Sequence, residues 1–181
     1  MNNKPKILAH ICCAPDALYV VGLLQATYEV IGYFYNPNIQ PQEEYQLRLK
    51  ETRKVAKHLD FELIEGAYDV DHWFKLTEKF KNEPEKGRRC YICYAWRIHK
   101  TAEKARELQV PLFTTIMSIS PWKSSSALNM IGRMTAKKYG IEFLESDFKK
   151  KDGFRKSVQL SKQFGLYRQN YCGCLYSQRQ R

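Results

Sequence analysis

Six cysteines fall into three tight pairs, Cys12-Cys13, Cys90-x-x-Cys93 and Cys172-Gly173-Cys174. Buried structural cysteines show no preference for pairing, so the pattern points to thiolate chemistry: binding of iron or zinc, or exchange between dithiol and disulfide. Cys90 and Cys93 stand three residues apart, which on a helix puts both sulfurs on one face. A helix start there, with Arg88 and Arg89 beside it, favours the thiolate. The first two pairs together supply the four thiolates that either tetrahedral zinc or a [4Fe–4S] cluster accepts. Adjacent Cys12 and Cys13 are awkward on one small ion, whereas a cluster has irons far enough apart to take both. The third pair has two open uses. It could cycle as a disulfide, with Gly173 giving the backbone freedom that so small a ring demands, or join Asp16 around a second metal.

The rest of the chain sets the context for these thiols. Its 181 residues, 44% apolar and 27% charged, suit one ordinary domain that buries a core without help from metal. Any metal is therefore expected to be functional. The apolar run after Lys6 is broken by His10, Pro15 and Asp16 before a signal-peptide core or membrane span can form, which reads as a cytoplasmic protein with no membrane partner. In a reducing compartment, paired cysteines serve metals or redox turnover more often than structural disulfides. Thirty Lys and Arg against nineteen Asp and Glu give a net charge of +11. That charge suits a polyanion such as nucleic acid, but on charge alone a merely basic protein fits equally well.

Apolar periodicity predicts the elements that must position the pairs. Strands are expected at 6–12, 28–35, 61–65, 111–118 and 141–144, and helices at 17–27, 42–58, 69–80, 90–108, 123–139 and 154–164. This alternation implies an α/β fold, a doubly wound and mainly parallel sheet flanked by helices. Ligands in such sheets bind beyond the carboxyl ends of the strands, where Cys12 and Cys13 fall. The chain reads as a single domain over 1–181, in which a C-terminal segment from about 167 to 181, without clear periodicity, brings Cys172 and Cys174 back to the site.

Other residues carry weaker signals. His10 precedes the first pair on a strand and reads more readily as a satisfied core histidine than as a ligand. Tyr91, Tyr94 and Trp96 could stack on a base, yet aromatics at helical spacing more often fill a core. Lys149 to Lys151 could contact RNA or merely form a solvated loop. Ser118 to Lys123 lie at the end of the fourth strand, where ligand contact is favoured.

Taken together, His10-Ile11-Cys12-Cys13-Ala14-Pro15-Asp16, the stretch from Arg89 through Cys90 and Cys93 to Arg97, and Tyr171-Cys172-Gly173-Cys174 resemble the QueH-type epoxyqueuosine reductases, nearly end to end. The resemblance implies an adenine-nucleotide hydrolase-like, Rossmann-type sandwich. Relatives with that fold carry a Ser-Gly-Gly phosphate motif where this chain has Cys12-Cys13-Ala14-Pro15, so neither ATP nor cobalamin is expected. The implied activity is a two-electron reduction of epoxyqueuosine at the wobble position of a tRNA, the epoxide oxygen leaving as water. The implied partners are that tRNA and an electron donor.

On this resemblance Cys12, Cys13, Cys90 and Cys93 are expected to hold a [4Fe–4S] cluster. Asp16, Cys172 and Cys174 are expected to act on the epoxide, as a redox dithiol or around a second iron. Spacing alone does not decide which thiols serve which site. Two competing readings are a zinc-stabilised RNA-binding module and a thiol-disulfide oxidoreductase, the latter leaving Cys12-Cys13 and the charge unexplained.

Overall fold

Strand β1 (Lys6–His10) is buried from its second residue onward, with Ile7 and Ala9 facing one core and Leu8 the other. That alternation marks a strand covered on both faces. The structure, a computed structural model, describes residues 4–178. The last three residues of the expected C-terminal segment lie outside the described residues, as do the first three of the chain. β1 pairs in parallel with β2 (Glu29–Phe34) on one side and β4 (Leu112–Thr115) on the other. β3 (Glu62–Glu65) and β5 (Glu142–Phe143) complete a five-stranded sheet of order β3-β2-β1-β4-β5, parallel throughout.

One face of the sheet is covered by α1 (Ala14–Leu24), α2 (Gln42–Leu59) and α6 (Gly153–Gln163), and the other by α4 (Arg88–Glu107) and α5 (Ser125–Tyr139). α3 (Val70–Thr77) lies against α4, and a last short helix, α7, covers Leu175–Gln178. Sheet and core are so close at Gly32 that a Cβ would lie 2.6 Å from the Phe61 ring and 2.7 Å from Ile11. Among the described residues no helix is long and apolar enough to cross a membrane.

The strand order reverses between β1 and β4, the switch point at which such sheets open a crevice. His10 closes its floor. Fully buried, it joins Thr115 of β4 through Nδ1 at 3.0 Å and the Tyr35 carbonyl, just past β2, through Nε2 at 3.1 Å. Both ring nitrogens are thus engaged, as expected of a core histidine, and burial holds the imidazole well below its usual pKa.

Two boundaries differ from expectation in ways that matter to the site. α1 starts at Ala14, three residues early, because Pro15 lies in its first turn, where a missing N–H costs nothing and a fixed φ helps. β4 stops at Thr115, and Ile116–Ile119 form a 3₁₀ turn. There the Thr115 hydroxyl accepts from Met117 N at 3.3 Å and bends the β-branched run over the sheet end.

Candidate active site

The early start of α1 places Cys13 at its N-cap in extended conformation and Asp16 in its first turn. Sγ of Cys12, Sγ of Cys13 and a carboxylate oxygen of Asp16 all lie within 4.8 Å of one another. Cys13 hydrogen-bonds to both Cys12 and Asp16. Its bond to Cys12 lowers the Cys12 thiol pKa, helped by the charges of Arg97 and Lys123. The same bond, with burial and the Asp16 charge, pushes Cys13 well up. Burial raises Asp16, against the hydrogen bond from Cys13 and the charge of Lys123. Ser157 of α6 donates to Pro15 O at 3.0 Å and Asp16 Oδ1 at 3.4 Å, tying this corner down.

The other four thiols form a second group. Cys90 and Cys93, on the first two turns of α4, border one cavity together with Cys172 and Cys174. All six cysteines are free thiols. Backbone and hydroxyl groups face these sulfurs: Lys86 N donates to Cys90 at 3.3 Å, Cys174 N to Cys172 at 3.4 Å, and Ser177 Oγ lies 3.1 Å from Cys172. A bond from Cys174 holds the Cys172 thiol well below its usual pKa and raises Cys174, while burial raises Cys90. The grouping therefore departs from expectation. Cys12 and Cys13 stand with Asp16, and Cys172 and Cys174 stand with the helix pair. The reason is topological: the β1–α1 turn points into the switch crevice, whereas the C-terminal segment crosses the start of α4.

That segment is anchored by the β2–α2 connection. Gln40 N donates to Gly173 O at 2.8 Å, Leu175 N donates to Gln40 Oε1 at 3.1 Å, and the Tyr171 hydroxyl donates to Gln40 O. Arg48 of α2, almost fully buried, donates to the carbonyls of Tyr171 and Cys172. Gly173 has φ +104°, and a Cβ there would lie 2.7 Å from Ile39. Only glycine suits that bend and that contact.

The cavity walls bring Arg89, Arg97 and Lys123 against one carboxylate, Glu85, and so fit an acceptor-rich occupant of negative charge. Among the described residues, five of the seven buried side-chain nitrogens and oxygens without a hydrogen-bond partner belong to side chains lining it: Trp73 Nε1, Arg89 Nε and Nη2, Arg97 Nε and Asn38 Oδ1. Four are N–H groups, each costly to bury unpaired, at about 1–3 kcal/mol. Four thiols plus unpaired donors suit an iron–sulfur cluster, whose sulfides accept hydrogen bonds. Contrary to the expectation that adjacent cysteines sit awkwardly on one ion, Cys13 in extended conformation keeps its sulfur within 4.8 Å of that of Cys12, and the two thiols with Asp16 suit a single transition-metal ion with a coordination position left open.

Cys172 also borders a wider cleft shared with Cys12 and Asp16. Arg48, Arg97, Lys123 and Arg168 bring positive charge to its wall, and Trp122 stands at its rim, 55% exposed. The 118–123 turn thus lies at the site. Lys149 supports it from behind, its Nζ donating to Ser118 O at 3.1 Å and Lys123 O at 3.4 Å, so this lysine is tied into the fold. Trp96 faces elsewhere, donating to the Tyr35 hydroxyl at 2.8 Å and stacking on His72. Tyr94 lines the thiol cavity, and Tyr91 is exposed. Sequence reasoning placed Arg89 beside the thiols but missed Arg48, Trp73, Arg97 and Arg168 as site residues. Arg97 lies one turn beyond Cys93 on the same helix, a signal that could have found it, whereas Arg48 reads as a surface partner of Glu44 at i,i+4 spacing.

Fold and site together define a parallel α/β protein whose switch-point crevice is lined by thiols. A solved structure with a similar fold, described as a predicted subunit of tRNA methyltransferase from Methanocaldococcus jannaschii, superposes with a TM-score of 0.59 at 13% identity, covering 88% of this chain and 76% of that one. A sequence profile described as epoxyqueuosine reductase QueH matches residues 7–180. Relatives bearing that name include the protein of Haemophilus influenzae, 38% identical over 98% of this chain and 74% of its own length. The Streptococcus pyogenes protein is 36% identical over 96% and 71%, and that of Thermotoga maritima 36% identical over 94% and 89%. The chain belongs to the epoxyqueuosine reductase QueH family.

Proposed function

We propose that this chain reduces epoxyqueuosine in the anticodon of a tRNA to queuosine, in a reducing cytoplasm. The epoxide takes up two electrons and two protons, both C–O bonds break, the oxygen leaves as water and a cyclopentene double bond remains. The electrons come from an external reductant, two for each epoxide. The observation that carries this reading is that Cys172 borders both the four-thiol cavity and the open basic cleft, so that an electron store and a nucleoside site share a wall.

In this reading Cys90, Cys93, Cys172 and Cys174 hold a [4Fe–4S] cluster, and Cys12, Cys13 and Asp16 hold a single iron. This exchanges the roles expected of the first and third pairs. When bound, these groups supply one-electron relay and Lewis acidity toward the epoxide oxygen.

The chain's own side chains do the rest. Arg168 and Lys123 draw the polyanionic RNA to the cleft, and Trp122 offers a face on which an extruded base stacks. Lys123 lines both the thiol cavity and the basic cleft, the place from which a proton reaches the departing oxygen. His10 and Ser157 keep the crevice floor and Asp16 in register.

The test is anaerobic incubation of reduced, iron-replete protein with tRNA carrying epoxyqueuosine, followed by nucleoside mass spectrometry. A product lighter by one oxygen, formed without added cobalamin or ATP, is expected. Recovery of unchanged epoxyqueuosine from cluster-replete protein would overturn the proposal.

A further inference from the structure

Trp73 is fully buried, yet among the described residues its indole N–H has no hydrogen-bond partner. Its ring is well placed for other reasons, lying edge-on to Phe74 at 5.3 Å and stacked on Tyr176 at 6.0 Å between centroids. Arg89, 1% exposed, shows the same pattern at higher stakes. Its Nη1 serves the carbonyls of Phe80, Lys81 and Glu83, which fixes the loop leading to Cys90. Its Cζ lies over the Tyr176 ring, 5.3 Å from the centroid, but among the described residues its Nε and Nη2 have no hydrogen-bond partner. Neither side chain can accept a hydrogen bond, so whatever satisfies them must be an acceptor, and for Arg89 preferably an anion. Both side chains line the cavity of the four thiols.

We propose that Trp73 Nε1 and the Nε and Nη2 groups of Arg89 donate hydrogen bonds to the inorganic sulfides of the cluster, and so hold its reduction potential above that set by the four thiolates alone. The inference rests on the cofactor reading given above. Its physical basis is charge. Reduction adds an electron to a centre that is already anionic, and donors and a guanidinium beside its sulfurs stabilise the reduced form more than the oxidised one. The two residues are positioning and tuning groups for electron transfer. They do not touch the epoxide.

The decisive substitution is Trp73→Phe, which removes the N–H and keeps a ring in the aromatic stack, with Arg89→Lys as the second variant. Anaerobic protein with its cluster rebuilt is poised at the wild-type midpoint and read by EPR and absorbance, which report per cluster and not per chain. The ratio of reduced to oxidised cluster falls threefold or more in each variant. A smaller fall, or a rise, overturns the proposal.

A measurement on unaltered protein covers the case of a variant that does not fold. With indole nitrogen-15 in the tryptophans, pulsed EPR on the reduced wild-type cluster shows coupling to a tryptophan nitrogen. Lack of that coupling overturns the proposal as well. Wild-type protein that takes up no acid-labile sulfide defeats the cofactor reading itself, an outcome distinct from an unshifted potential in cluster-bearing Trp73→Phe protein.

Discussion

Arg48, in the middle of α2, donates from Nη1 to the carbonyl oxygen of Cys172 at 3.2 Å, and its Nη2 reaches Tyr171 O at the same distance. A residue more than a hundred positions away thus sets the backbone that carries two of the six thiols. The guanidinium also lies over the Tyr171 ring, 5.1 Å from its centroid, and its Nε donates to Glu44.

Replacing Arg48 with Met removes a donor from both carbonyls and from a nearly buried carboxylate, although Asn38 Nδ2 still reaches Cys172 O at 3.4 Å and the Tyr167 hydroxyl still donates to Glu44. Hydrogen bonds to charged groups contribute about 1.5–3 kcal/mol each. We expect a loss of about 2–4 kcal/mol in urea unfolding, together with a lower iron content. Arg48→Lys restores charge but not the forked geometry, and recovers only part of either.

Gly173→Ala tests the bend between Cys172 and Cys174. A non-glycine residue at this φ carries strain of about 1–3 kcal/mol, to which the collision with Ile39 adds. The melting temperature falls, and sulfide content falls with it, because both thiols are displaced from the cavity. Unchanged sulfide binding in Gly173→Ala would show that the bend is not needed to present them.

Lys123→Met separates proton delivery from cofactor binding. Loss of a positioned acid costs about 10²–10⁴-fold in turnover. Iron and sulfide contents stay at wild-type values, since Lys123 is no ligand in this account. Single-turnover conversion of epoxyqueuosine tRNA gives the rate, and metal analysis of the same sample gives the control.

The tie between α2 and the C-terminal segment is pH-sensitive at Glu51. Burial alone would raise this carboxyl, but hydrogen bonds from Lys54 and from Tyr167 N outweigh it and hold the pKa below the ordinary 4.5. With the folded value below the unfolded one, the unfolded chain binds the proton more readily. The contribution is therefore complete above 4.5 and drains as pH falls through the folded value. Urea midpoints at about pH 7 and about pH 3.5 measure the loss. Glu51→Gln lowers the midpoint at the higher pH and shows a smaller drop between the two.

Much of this architecture was legible in the chain itself. The apolar strands at Lys6, Tyr28 and Phe61 and the helices between them announce a parallel sheet. Cys12 and Cys13 declare themselves as replacements for a phosphate loop by standing after the first strand. The C-terminal pair was legible as a partner in the site, but not its place. No periodicity marks residues 167–178, whose path is set by Gln40 and Arg48, polar groups with ordinary surface signatures. The resemblance joined Cys12 and Cys13 to Cys90 and Cys93, and spacing alone left that division open; in space Cys12 and Cys13 meet Asp16, one helical turn on, while Cys90 and Cys93 share a cavity with Cys172 and Cys174. The unpartnered N–H groups of Trp73 and Arg89 were invisible for a different reason. Sequence reports the donor, and only packing reports that no acceptor came with it.

The division of the thiols is the central claim, and counting iron and acid-labile sulfide in anaerobic Cys→Ser variants tests it most directly. Cys93→Ser and Cys174→Ser are expected to lose sulfide together with most of the iron. Cys13→Ser is expected to keep the wild-type sulfide and lose only about one iron per chain. Sulfide lost from Cys13→Ser but retained in Cys174→Ser would contradict this division, and would return the cluster to the first and second pairs.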